Sequence, residues 1–109
     1  MRHYSKMKNQ KFYKYNLIEK IRKMAVEELT ENNFEDFIKE GNALVDFYAD
    51  WCMPCLTMSP IVEEISEKMN DHVRFGKVDV GENKDIAEKF GVSSVPNFVL
   101  FKDGEKVDQ

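Results

Sequence analysis

Residues 43–60, ALVDFYADWCMPCLTMSP, constrain this chain more than any other stretch. The apolar run Ala43 to Tyr48, interrupted only by Asp46, predicts a central strand with little contact with water. Ala49-Asp50-Trp51 then turns the chain. A helical pattern follows from about Pro54 to Met69, with Leu56, Ile61, Val62, Ile65 and Met69 as its expected buried face. Pro60 lies inside that helix, removes one backbone donor and should kink it. Both cysteines of the protein sit at the strand-to-helix junction, as Cys52-Met53-Pro54-Cys55.

A C-x-x-C pair has three readings. Tetrahedral zinc needs four ligands, and the remaining candidates are His3, near the N-terminus, and His72, at a strand start. A structural disulfide would close a tiny loop and restrain the unfolded chain very little. A redox pair fits the context better. Cys52 falls just before a helix N-terminus, where free backbone N–H groups and the helix dipole stabilise a thiolate. The thiolate is the nucleophile of disulfide exchange. Cys55 falls one turn further on and is expected to be less exposed, which suits it to resolving a mixed disulfide. Pro54 fixes the first helical turn without loss of a helix bond. Met53 offers a flexible apolar contact for varied partners.

The rest of the chain supplies a scaffold of matching size. With 109 residues and 42% hydrophobic content, one small packed domain is expected. Charge divides it in two. Residues 1–23 hold eight Lys or Arg and one acid, Glu19; residues 24–109 hold eight Lys or Arg and nineteen acids. A basic extension over 1–23 thus precedes an acidic domain over 24–109. Within the extension, 1–11 is polar without periodicity and reads as disordered, whereas Leu17, Ile18, Ile21 and Met24 share one helix face, so the extension is expected to be disordered or partly helical; Met24 is also a plausible start. No apolar run is long enough to span a bilayer, and no secretory core is present. Cysteine usage points to a soluble protein of a reducing compartment, the cytoplasm. The basic extension alone gives little support for nucleic-acid binding.

Ala25 to Leu29 predicts a short strand. Thr30 or Asn32 then caps a helix whose stripe is Phe34, Phe37 and Ile38, with Glu35 placed for a capping box and Gly41 closing it. Val73 to Val80 is a strand, Glu82 to Phe90 a helix closed by Gly91, and Asn97 to Phe101 a strand. Asp103-Gly104 turns a hairpin into Glu105 to Asp108. The order β-α-β-α-β-α-β-β predicts an α/β fold. Its mixed sheet of about five strands is parallel where helices cross over and antiparallel at the last hairpin.

The segment Val45 to Cys55, with Pro60, Lys77-Val78-Asp79, Phe90-Gly91-Val92, Val95-Pro96 and Phe101 to Glu105, closely resembles the thioredoxin family over residues 25–108. The resemblance implies a thioredoxin fold and protein-disulfide reductase activity in cell redox homeostasis. It makes Cys52 the attacking cysteine and Cys55 the resolving one, joined as a redox disulfide in the oxidised form. Asp46 becomes a buried acid that takes a proton from Cys55, with Lys77 as its nearby cation. Pro96 becomes a cis-proline that lets the Val95 backbone pair with a substrate strand. Trp51, Met53 and Pro54 rim the docking surface. Three bland alternatives remain at this point: a water-facing carboxylate for Asp46, an ordinary edge lysine for Lys77, and core packing for Trp51.

The resemblance further implies disulfide-containing protein substrates, a thioredoxin reductase as electron donor, and no bound metal or cofactor. Tyr48 replaces the family's usual tryptophan, and Met53 its usual glycine between the cysteines. Pro54 stands where oxidising relatives often carry histidine, so reductant chemistry is favoured over oxidase or isomerase chemistry. A non-catalytic binding role for the fold is the other competitor. The family continues past the hairpin into a last helix that covers one sheet face, and this sequence ends at Gln109. Apolar residues of 97–101 are therefore expected to be exposed there. Three explanations stand side by side: a truncated sequence, a second copy or another partner on that face, or the helix containing Leu17, Ile18 and Ile21 filling it from the same or a neighbouring chain.

Overall fold

The computed structural model describes residues 26–109; the expectations for the basic extension, including the Leu17/Ile18/Ile21 helix, lie outside the described residues. The chain forms β1 (Glu27–Leu29), α1 (Phe34–Ile38), β2 (Asn42–Tyr48), α2 (Met53–Met69), β3 (Arg74–Asp79), α3 (Lys84–Lys89), β4 (Asn97–Lys102) and β5 (Glu105–Asp108). The five strands make one sheet in the order β1-β3-β2-β4-β5. β1 and β2 run parallel to β3, while β2–β4 and β4–β5 are antiparallel. The expected element order and mixed sheet are both present.

Strand alternation sorts the core into two faces. On the first, Leu29, Ala43, Val45, Phe47, Val78, Val99 and Phe101 pack against Phe34, Phe37, Ile38, Ile86 and Ala87 of α1 and α3. Phe34, Phe90 and Phe101 form a ring triangle with centroids 5.0–5.7 Å apart, two of its contacts edge-to-face, as the ring quadrupoles prefer. Gly76 permits this closeness: a Cβ there would lie 2.6 Å from Leu29 Cδ1 and 3.0 Å from Phe37 Cε2. On the second face, Val26, Val62 and Phe75 are buried, with Leu44, Val73 and Phe98 half-buried around them.

Four local expectations need correction. Asn33, not Thr30 or Asn32, is the N-cap of α1, and its side chain makes no capping bond. Its Oδ1 accepts the Thr30 N–H at 2.7 Å, and Thr30 Oγ1 accepts the Asn32 N–H at 3.2 Å, so these groups close the β1–α1 turn instead. Glu35 pairs with Lys89 of α3 at 3.0 Å, which takes it from any capping box. The third correction concerns α2. Val62 alone of its expected stripe is buried, alongside Cys55 and Ser66. Leu56, Ile61, Ile65 and Met69 are 41–52% exposed. The helix rests on the sheet along the strip through Cys55, Val62 and Ser66, and the remaining apolar positions flank that strip or lie opposite it. Fourth, Val99 and Phe101 are fully buried and only Phe98 and Leu100 are partly exposed, because alternate residues of β4 serve opposite faces.

Two of the three predicted stops hold; Gly41 has positive φ but lies two residues past the α1 C-cap, Lys39, and its N–H donates to Asp103 Oδ1. Gly91 (φ +70°) follows α3, with the Gly91 N–H donating to Glu88 and the Val92 N–H to Ala87, a Schellman arrangement. Asp103 and Gly104 both have positive φ, as a two-residue hairpin turn requires.

Candidate active site

β2 delivers the chain to the site and α2 carries it away. Cys52 is the N-cap of α2, with extended backbone, and its Sγ accepts the Cys55 N–H at 3.2 Å. This is a capping bond made by sulfur, and it places Cys52 where the helix's free donors converge. Pro54 occupies the first helical turn, where its lacking N–H costs nothing. Cys52 and Cys55 are joined as a disulfide with Cα atoms 5.2 Å apart. Each sulfur residue is 4% exposed, so Cys55 is not the more buried one, contrary to the sequence expectation. In the disulfide both sulfurs share one small apolar cluster with Ala49, ringed by Tyr48, Val80 and Val95. Position on the helix, not exposure, distinguishes the two cysteines.

Loop residues frame the disulfide. The Val95–Pro96 peptide bond is cis, and Val95 packs on the cysteine cluster. Trp51 is 77% and Met53 68% exposed, which rules out core packing for Trp51. Two large apolar side chains thus flank a sulfur pair that is itself almost covered.

On the second sheet face, a row of charge crosses three strands. Asp46 of β2 stands opposite Lys77 of β3, and Lys77 stands opposite Glu28 of β1. β3 lies between β1 and β2, so Lys77 is not on an edge. Asp46 is buried, and its Oδ1 has no hydrogen-bond partner among the described residues. Burial raises its pKa from 3.8 to about 6, opposed by the positive charge of Lys77. Desolvation penalises the charged form, so the carboxyl gives up its proton only near pH 6, closer to neutrality than an ordinary carboxyl does.

Sequence reasoning missed Glu28. The Tyr48 hydroxyl donates to both Glu28 carboxylate oxygens, at 3.0 and 2.8 Å. Lys77 Nζ lies 3.8 Å from Glu28 Oε1 and 5.7 Å from the centre of the Tyr48 ring. Burial, then the Glu28 bond and charge, push the Tyr48 hydroxyl pKa upward, so it remains a donor. Only the pairing register could reveal the group: Glu28 and Lys77 are 49 residues apart in the chain and share a row by strand alignment. Among the described residues, no three His, Cys, Asp or Glu side chains converge as a metal site, and no helix is long and apolar enough to cross a membrane.

A Cys-x-x-Cys disulfide at a helix N-terminus, with Val95 packed against it, is the arrangement of a thiol–disulfide oxidoreductase. The comparisons agree. The family model described as Thioredoxin matches residues 25–109. Thioredoxin of Staphylococcus saprophyticus is 44% identical over 86 residues, 79% of this chain and 83% of that one. Thioredoxin of Bacillus subtilis is 41% identical over 85 residues, 78% and 82% of the two chains. Among solved structures, a mutant thioredoxin of Halobacterium salinarum superposes with TM-score 0.73 at 36% identity, covering 79% of this chain and 76% of that one. The chain belongs to the thioredoxin family, and its Cys52–Cys55 pair serves dithiol–disulfide reduction.

Proposed function

We propose the following cycle and division of labour. In the reduced protein the Cys52 thiolate attacks one sulfur of a target disulfide. A Cys52–target bond forms, and the other target sulfur leaves as a thiolate and takes up a proton. Asp46 then accepts the Cys55 proton, and the Cys55 thiolate attacks Cys52 Sγ. The mixed disulfide breaks, the second target sulfur leaves, and the Cys52–Cys55 disulfide is formed. The target has gained two electrons and the protein has lost two. A thioredoxin-reductase-type donor returns them, in the cytoplasm.

The observation that carries this reading is the Cys55 N–H bond to Cys52 Sγ at the start of α2. A donor aimed at that sulfur, with the helix dipole behind it, stabilises Cys52 as a thiolate and equips it to attack first. The raised pKa of Asp46 supports its part as proton acceptor, since a base works best with a pKa near the operating pH. Lys77 moderates that pKa through its charge. The exposed Trp51 and Met53 support docking of an extended target segment against Pro54, with the Val95 backbone before Pro96 free to pair with it.

Insulin reduction with dithiothreitol as electron source tests the cycle. Wild type should accelerate it and Cys52→Ser should leave it at the uncatalysed rate; equal rates would make the fold a binding platform. Equilibration of Cys52/Cys55 with glutathione should show a reducing pair, and a strongly oxidising one would move the reading to oxidase or isomerase chemistry.

A further inference from the structure

Lys77 is shared between two carboxylates, and the structure does not divide it evenly. Asp46 and Glu28 flank it on the same sheet face, one on each neighbouring strand. Its Nζ is 3.8 Å from Glu28 Oε1, whereas Asp46 has no ion pair within 4 Å among the described residues. Glu28 is itself held in place, because the Tyr48 hydroxyl donates to both of its oxygens. Tyr48 belongs to the same side of β2 as Asp46, two residues on, and packs on the cysteine cluster. The anchor thus runs from the disulfide surroundings through Tyr48 to Glu28 and then to Lys77.

We infer that Glu28 is a positioning residue for the redox site: it holds the Lys77 ammonium on the β1 side of the sheet and so governs how much of that positive charge reaches Asp46. The groups facing this row are few. Lys77 is the charge set against Asp46. Asp79 and Asp50, with Glu28, act on Tyr48. Phe98 of β4, opposite Asp46, is neutral, and the cysteines of α2 carry no proton while bonded. Asp46 is therefore open to a redistribution of the Lys77 charge. With Glu28 neutral, Lys77 loses its nearer partner, and Asp46 becomes the carboxylate opposite it. The inference rests on reading Asp46 as the proton acceptor for Cys55 only where rates are concerned; the charge allocation itself can be observed without turnover.

The test follows the Asp46 carboxyl carbon by NMR titration in the oxidised full chain, in wild type, Glu28→Gln, Lys77→Met and the double variant. Glutamine keeps an oxygen for the Tyr48 hydroxyl and removes only the charge. Glu28→Gln should lower the Asp46 midpoint by about 0.5–1 pH unit, and Lys77→Met should raise it. In the Lys77→Met background, Glu28→Gln should move it by less than half as much, since its route is gone. An unmoved midpoint in Glu28→Gln overturns the inference, as does a shift of equal size with and without Lys77. The pH profile of insulin reduction is then read on the same variants. A moved Asp46 midpoint with an unmoved rate profile leaves the charge allocation standing and removes Asp46 from its role as base, so the two failures are separable.

Discussion

The two faces of the sheet are built on different terms. The first is closed: α1 and α3 cover it, the Phe34–Phe90–Phe101 triangle fills it, and Leu29, Ile38, Val45, Phe47, Val78, Val99 and Phe101 lose all contact with water. The second is covered by α2 along a narrow strip and carries the Glu28–Lys77–Asp46 row beside half-buried Leu44, Phe98 and Leu100. The closed aromatic core lies on one side and the buried carboxyl on the other. A carboxyl in the closed core would meet prohibitive desolvation, and one in full contact with water would not keep a raised pKa. The second face offers the intermediate environment.

Truncations measure the contrast most strongly. Phe101→Ala on the closed face should cost about 3–5 kcal/mol in denaturant unfolding, while Phe98→Ala on the second face should cost about 1–2 kcal/mol. Similar losses would dissolve the distinction. Gly76→Ala should cost about 1–3 kcal/mol, because the new methyl meets Leu29 and Phe37 at 2.6–3.0 Å inside the closed core.

Asp46 makes the second face sensitive to pH. Its folded pKa of about 6 lies above its ordinary 3.8, so the folded state binds the extra proton between these values. The contribution of Asp46 to stability should therefore be greatest below pH 4, fall as pH rises toward 6, and level off above it. Allowing for solvent screening, the fall is on the order of 1–3 kcal/mol. Asp46→Asn should remove that slope, stabilise the oxidised protein at pH 7 by a similar amount, and slow insulin reduction about 10- to 100-fold. A variant that is more stable and equally active would deprive Asp46 of its role. The smallest effect is expected on the outer strip of α2: Ile65→Gln should change stability by no more than about 0.5 kcal/mol, since Ile65 is already 42% exposed.

Much of this was readable before any coordinates. The apolar run 43–48, the prolines and glycines at element ends, and Asp103-Gly104 carry local instructions, and each acts where it stands. The C-x-x-C pair was legible because its chemistry depends on a strand-to-helix junction that the same eighteen residues encode. The buried strip of α2 was not. Periodicity reports which side of a helix is apolar, not how wide a surface lies beneath it, so it places Leu56, Ile61, Ile65 and Met69 in a core that, of this stripe, only Val62 enters. The equal burial of Cys52 and Cys55 escaped for a related reason: the disulfide and the residues 48, 80 and 95 around it set exposure, and these converge from distant parts of the chain. Glu28 was invisible because an acid in a short strand looks like a solvated one until the register pairs it with Lys77.

The central claim is that Cys52 attacks and Cys55 resolves, a distinction the structure rests on position at the start of α2. Intact-mass analysis after mixing with a disulfide peptide tests it directly. Cys55→Ser should accumulate a stable adduct of one peptide on Cys52, and Cys52→Ser should accumulate little or none in the same time. Faster adduct formation through Cys55 than through Cys52 would contradict the account.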